Sequence, residues 1–554
     1  MSGPRRLKNQ LPQVPPQEEY LETEQLQTRR NQREQLTRRH LKKANDKNYG
    51  KVILALLLVV ALIAAAWYAY TLITTNPYAK GIPRNLKSYY KQNVNWTSCE
   101  NGMQCATVEA PVDWDNPSSD KVSLQLIKIN ATGQKQGSLV INPGGPGGSG
   151  YDWVRDSAMS TLSSTVTSAY DVVGFDPRGV GKSSAIKCLD DKDHDAYRAN
   201  TANLDTDDGL QKLRDEYAKI AQSCKDNSGP VIGHMDTASV AKDMDMIRAL
   251  LKENQLNYLG FSYGTLLGAS YAGLFPDHVG HMVLDGAVDP AISYSEVTKG
   301  QATGFEQSLK AFANDCVQKK NCSLSQDDQG NTLSADDIVK KVRQMLTDNN
   351  TSPMKTKDGR TATSSMLVQG IMVPLYNNLM WPTLADALAS AMYNKSPDSL
   401  IQFSDASAGR SSDGSYSNNS DFAFMAVNCL DYSIPSDTQS IRSDEAALKK
   451  ASPTFGQYMA GGGAICEKWP YKTIRQLGPI STSSSNPLLV VGTSGDPATP
   501  FASAENLTKE LGNAKLLKWN GQGHTAYGRS NDCVRDSVDN FLLKGTVPED
   551  GKTC

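Results

Sequence analysis

The sequence predicts a doubly wound, mostly parallel α/β sheet, interrupted by a mainly helical insertion and preceded by a transmembrane helix. Three observations lead there. Short apolar runs at 137–142, 170–175, 258–259 and 281–284 alternate with stretches of helical periodicity and empty into glycine-rich loops, the pattern of parallel strands joined by crossover helices. Between residues 291 and 486 the alternation stops, then resumes at 487–492. Residues 52–73 (VILALLLVVALIAAAWYAYTLI) carry no charge and are long enough to cross a bilayer.

The length of 554 residues exceeds one ordinary domain, and 39% hydrophobic with 21% charged residues describes a globular chain. A formal charge of -2 gives no reason to expect a nucleic-acid partner. Residues 1–51 form a polar tail with Pro12, Pro15 and Pro16 and no apolar cluster, a composition unable to bury enough surface to order itself. Only residues 18–43 have the charged pattern of a transient helix. Arg38, Arg39, Lys42, Lys43, Lys47 and Lys51 crowd the near end of the 52–74 segment, and Trp67, Tyr68 and Tyr70 its far end. The positive-inside bias puts the N-terminus in the cytosol and everything after Thr74 outside the cell membrane. A signal peptide cleaved near Ala64-Ala-Ala66, releasing a secreted protein, is the competing reading; the long charged leader favours an uncleaved anchor.

The ten cysteines all follow this segment, where thiols oxidise. Neighbours in sequence suggest Cys99–Cys105, Cys188–Cys224, Cys316–Cys322, Cys429–Cys466 and Cys533–Cys554. No Cys-x-x-Cys or clustered His suggests a metal instead.

A tether with Pro77 and Pro83 (75–98) leads to the first part of the core, 99–290. Residues 121–130 alternate apolar and polar, as a half-buried strand does. Residues 137–142 form the next strand, opening into Pro143-Gly-Gly-Pro-Gly-Gly-Ser-Gly150, and 170–175 the one after, ending at Asp176-Pro-Arg-Gly-Val-Gly-Lys-Ser183. Gly179-Val-Gly-Lys-Ser183 imitates a phosphate-binding loop, but Asp176 stands where that motif needs glycine. Residues 237–251 have helical spacing. The helical insertion, 291–486, carries apolar helical runs at 338–346, 366–376 and 384–392, separated by polar loops. The core then closes over 487–554, with strands at 486–492 and 515–519 and helices near 502–511 and 533–543.

The chemistry centres on Gly260-Phe-Ser262-Tyr-Gly264, a Gly-x-Ser-x-Gly turn between a strand and a helix that lifts a serine hydroxyl clear of the sheet. Such a hydroxyl needs a base, and the base needs an acid to orient it. Of six histidines only His524 directly follows a late strand, and Asp496 ends the strand before it. The expected triad is Ser262, Asp496 and His524, with Asp285 and Asp289 as reserve acids. An oxyanion hole would use the backbone N–H of Tyr263 and one from the glycine run, Gly145 or alternatively Gly144.

Ser262, Asp496 and His524 in that chain order, with an insertion before the acid, resemble an α/β-hydrolase. Asn142-Pro-Gly-Gly-Pro-Gly-Gly, Asp176-Pro-Arg-Gly, Gly495-Asp-Pro-Ala-Thr-Pro500, Cys429-Leu-Asp431 and Cys466-Glu-Lys-Trp-Pro470 narrow the resemblance. Together they resemble the secreted tripeptidyl aminopeptidases related to proline iminopeptidase. Asn142-Pro143 departs from the His-Gly usual in proline iminopeptidases. The resemblance implies a peptide substrate, no cofactor, and release of short N-terminal peptides through an acyl-enzyme. Asp431 and Glu467 are the candidates for holding the substrate's free ammonium. An esterase or acyltransferase using the same three residues is the alternative, and a non-enzymatic surface-binding protein a remoter one.

Overall fold

A computed structural model describes residues 17–74, 76–200, 204–319, 321–473 and 476–554. Pro12, Pro15 and Pro16 of the tail, and the side chains of Lys47, Tyr68 and Tyr70, lie outside what is described. The chain divides into two units, residues 1–76 and 77–554.

The first unit corrects one expectation. A single helix, Gln17–Thr74, runs through the polar tail and the apolar segment alike, where the sequence suggested at most a transient helix at 18–43. Glu, Gln, Arg and Leu dominate the polar half, all good helix formers, and the hydroxyls of Thr28 and Thr37 bond back to the carbonyls of Glu24 and Arg33 instead of breaking the turn. Within it, Tyr49–Trp67 is long and apolar enough to cross a membrane, with a mean hydropathy of 2.5.

The second unit is built on a ten-stranded sheet. Its strands are β1 (Thr97–Ser98), β2 (Gln104–Pro111), β3 (Lys121–Ile129), β4 (Gly137–Asn142), β5 (Tyr170–Phe175), β6 (Leu256–Phe261) and β7 (Val279–Asp285). A two-stranded hairpin, β8 (Met354–Lys355) and β9 (Thr361–Ala362), belongs to the insertion; β10 (Leu488–Gly495), β11 (Ala514–Gln522) and β12 (Lys552–Thr553) return to the main sheet. The order is β1-β2-β3-β5-β4-β6-β7-β10-β11-β12. The β1–β2, β2–β3 and β3–β5 pairs are antiparallel, and all the others in this sheet are parallel. Central strands such as β4 and β5 are buried along their whole length, as expected for parallel strands covered on both faces.

Register brings the chemistry to one edge. Asn142 pairs with Gly260, Phe261 with Asp285, Val491 with Asp285, and Gly495 with Gln522. The carboxyl ends of β4, β6, β7, β10 and β11 therefore deliver their loops side by side, where ligands of open α/β sheets bind. The insertion between β7 and β10 has its own apolar core, including Phe305, Phe312, Leu367, Ile371 and Trp381, and Ala498 of the post-β10 loop joins it. The helix Tyr294–Gln318 packs Gly304 against Pro497 so tightly that a Cβ there would lie 3.0 Å from the proline Cα. All five proposed cysteine pairs are bonded.

The phosphate-loop imitation is a plain turn. Buried Asp176 fills it, accepting from Ser149 Oγ (2.5 Å), Tyr151 N (3.1 Å) and Lys182 N (2.7 Å).

Candidate active site

Ser262 lies between β6 and the helix Tyr263–Leu274 with φ 56° and ψ −127°, a conformation that costs a non-glycine residue about 1–3 kcal/mol. The surroundings enforce it. A Cβ on Gly264 would stand 2.7 Å from the Asn142 carbonyl, and one on Gly260 would drive into the Gly264 carbonyl. The Ser262 N–H donates to the Asp285 carbonyl at 2.9 Å, and Thr265 returns its N–H (2.8 Å) and hydroxyl (2.6 Å) to the Ser262 carbonyl. The helix begins at Tyr263, so its first turn starts beside the hydroxyl.

Asp496 and His524 meet. His524 Nδ1 lies 2.9 Å from each Asp496 carboxylate oxygen, which fixes the proton on Nδ1 and leaves Nε2 as the acceptor. Asp496 also accepts from Ala498 N (2.9 Å), Thr499 N (2.9 Å), Thr499 Oγ1 (2.9 Å) and Thr525 N (3.1 Å). Burial pushes this carboxyl up, but the His524 charge and these donors outweigh it and hold it below the usual carboxylate range. His524 is further held from the insertion. Its N–H donates to the Tyr376 carbonyl at 2.8 Å, and the Tyr376 ring stands edge-on at 5.2 Å. Arg529 braces the same loop, donating to Gln522 O (2.7 Å), Thr525 O (3.0 Å) and Asn377 Oδ1 (3.3 Å).

The reserve acids do not reach the imidazole nitrogens. Asp285 accepts from the backbone of Ala526 and Tyr527, and Asp289 from Ala291 N and Asn506 Nδ2. In the glycine run, Gly144 presses on the elbow: its Cβ would lie 2.8 Å from Ser262 Cβ and 3.1 Å from Tyr263 N. The Gly144 N–H is already given to Asn142 Oδ1 (2.9 Å).

Of the two ammonium candidates, Glu467 is occupied, 2.8 Å from Arg214 Nε and 3.3 Å from Lys468 Nζ. Asp431 is buried and accepts from Thr237 N (2.9 Å) and Thr237 Oγ1 (2.6 Å), and that hydroxyl also meets Tyr263 Oη at 2.6 Å. Burial raises Asp431 to about 7. Residues the sequence reading missed line a cavity of about 720 Å³, among them Tyr197, Glu216, Tyr217, Gln369, Met372 and Asp421. One of its walls leads to His524 and another to the glycine run after β4. The helix Ser364–Leu375 passes from Gln369 and Met372 to Tyr376, which holds His524. The helix Ser420–Asp431 starts at the cavity and packs Ala423 on Gly147, whose Cβ would lie 3.0 Å from it. Lys449 of this cavity is paired to Asp205 and Glu445, and Arg198 to Asp405. Among the described residues, Glu216 and Asp421 have no Lys or Arg in ion-pair contact; Asp421 meets His194 Nε2 at 2.9 Å, and burial raises Glu216 to about 7. Thr499 was within reach of sequence reasoning, inside Gly495–Pro500; Tyr376 and Glu216 carry no local signal.

A strained serine at a strand–helix elbow, with an Asp–His pair from later strands on the same sheet edge, defines an α/β-hydrolase. Residues 137–528 match the family described as alpha/beta hydrolase fold. The chain belongs to that family, among its serine peptidases. It is similar to the serine protease Hip1 of Mycobacterium tuberculosis, 34% identical over 520 residues that cover 91% of this chain and 98% of Hip1. It is also similar to carboxylesterase B of the same organism, 35% identical over 474 residues (83% and 89% of the two chains). A third relative is the tripeptidyl aminopeptidase of Streptomyces lividans, 30% identical over 480 residues (84% and 87%).

Proposed function

We propose that this serine hydrolase is a membrane-anchored exopeptidase that removes short peptides from free N-termini outside the cell. Ser262 is the nucleophile. His524 Nε2 takes the hydroxyl proton as Oγ adds to the scissile carbonyl, and the oxyanion is received by the N–H groups of Tyr263 and Gly145. The imidazolium then protonates the leaving amine, the C–N bond breaks, and an acyl-enzyme remains. Water, deprotonated by the same imidazole, releases the acid and restores Ser262. Asp496 stays ionised throughout and orients the ring.

The observation that carries the exopeptidase reading is a cavity lined by Glu216 and Asp421, neither of which has a Lys or Arg in ion-pair contact among the described residues. A carboxylate so placed binds an ammonium by a charge-assisted hydrogen bond, and a blocked or internal amide offers no such charge. Asp431 is retained as a further ammonium contact and Glu467 as a weaker one, given its pairing with Arg214. The Tyr49–Trp67 segment and the basic cluster before it support the anchor and its orientation. The relative named carboxylesterase B keeps an ester substrate as the second reading.

A fluorogenic panel on the full chain separates them. It compares mono-, di- and tripeptidyl amides with free amines, their N-acetylated forms and simple esters. Hydrolysis of free-amine peptides with loss of the acetylated ones is expected; equal cleavage of acetylated peptides, or of esters alone, would reject the exopeptidase assignment.

A further inference from the structure

A carboxylate that the proposed reaction does not use directly lies behind it. Asp285, at the end of β7, is fully buried. Its carboxylate accepts the Ala526 N–H at 3.0 Å to each oxygen and the Tyr527 N–H at 2.7 Å, just beyond the base. Its own carbonyl accepts the Ser262 N–H. The next residue, Gly286 (φ 73°), forms a floor for the ring: a Cβ there would stand 3.3 Å from His524 Cε1 and 3.2 Å from Thr499 Oγ1. One dipeptide thus touches the nucleophile's backbone, the base's loop and the base's ring.

The charges around the base are also unevenly matched without it. Around His524 are Asp496 from the post-β10 loop, Asp285 from β7, Arg529 from the segment after the base, and the ring of Tyr376, while the Tyr527 phenol turns away to Asp539. Arg529 spends its donors on two carbonyls and one amide oxygen, none of them an acid. With Asp285 ionised, two anions face Arg529 and the imidazolium, and the cluster is neutral when the proton is on His524. Without it, proton transfer to His524 would leave one uncompensated positive charge in a buried site.

We propose that Asp285 is a positioning residue for the base, tying the Ser262 turn to the His524 loop and supplying the second anion that stabilises the imidazolium. Burial pushes its carboxyl up to about 6, so at neutral pH it still carries the charge this role needs. The inference rests on Ser262 and His524 acting as proposed above.

The test is the pH dependence of kcat/KM in the full chain, with Asp285→Asn and Arg529→Gln beside wild type. Removing an anion destabilises the imidazolium, so Asp285→Asn should move the acid limb to lower pH by about one unit. It should also cut kcat about tenfold or more with little change in KM. Arg529→Gln removes a cation and should move the limb the other way. A folded Asp285→Asn enzyme with an unmoved acid limb overturns the proposal. If that variant does not fold, an Arg529→Gln limb that stays put or falls overturns it instead. Ser262→Ala, run in parallel, separates the two levels: retained turnover there removes the site itself, while a dead Ser262→Ala with an unmoved limb removes only the role of Asp285.

Discussion

Asp431 sits in the second unit with no Lys or Arg in ion-pair contact among the described residues, between a threonine that donates to it twice and the tyrosine that follows Ser262. Burial raises its carboxyl from an ordinary 3.8 to about 7. The folded value lies above the unfolded one, so the stability this group contributes is complete below about pH 4 and is lost as pH climbs through about 7. Asp431→Asn keeps the shape and removes the charge, and Asn can still accept from Thr237 N. Its melting temperature relative to wild type should therefore be higher at pH 8 than at pH 5; a difference that is flat with pH, or runs the other way, would show that Asp431 is not a strained carboxylate. At this scale the sequence was informative where a residue ends a strand. Asp496 and His524 were both found that way, and the structure places them in contact. Thr499, Arg529 and Tyr376 went unread because their parts are set by loop closure. Tyr376 reaches His524 across 148 residues, through a backbone carbonyl that has no sequence signature.

Among the elements, strands with β-branched or large apolar residues were legible, and β2 was not. Its inward positions, Ala106, Val108 and Ala110, are small and give a weak period-two signal. The hairpin β8–β9 escaped for a simpler reason, having two residues a side. The long N-terminal helix differs in kind: the side chains of residues 24–43 are exposed, and this polar half follows local propensity. Its apolar stretch makes a separate prediction. The full chain should stay with the membrane pellet through an alkaline carbonate wash, and protease added outside the cell should digest the region after residue 77. Release by the wash, or protection of that region, would exclude the proposed anchoring and orientation.

Across the whole molecule, parallel register assembles the site. Because β4, β6, β7, β10 and β11 end at one edge, residues more than 200 apart in sequence, such as Ser262 and Asp496, are delivered to neighbouring loops. The insertion then reaches back over that edge, holding His524 by Tyr376 and supporting the Asp496 loop through Gly304 and Ala498. Doubly wound topology could be inferred from alternating strands and glycine loops, but the insertion's path could not, since helical periodicity says nothing of where a helix docks. In the mechanism proposed above, His524 activates the Ser262 hydroxyl. The most direct measurement is mass-spectrometric mapping of the adduct that a fluorophosphonate leaves on the full-length protein. A single adduct on Ser262, lost in His524→Ala, is the predicted result; an adduct on a different serine, or undiminished labelling of His524→Ala, would contradict it.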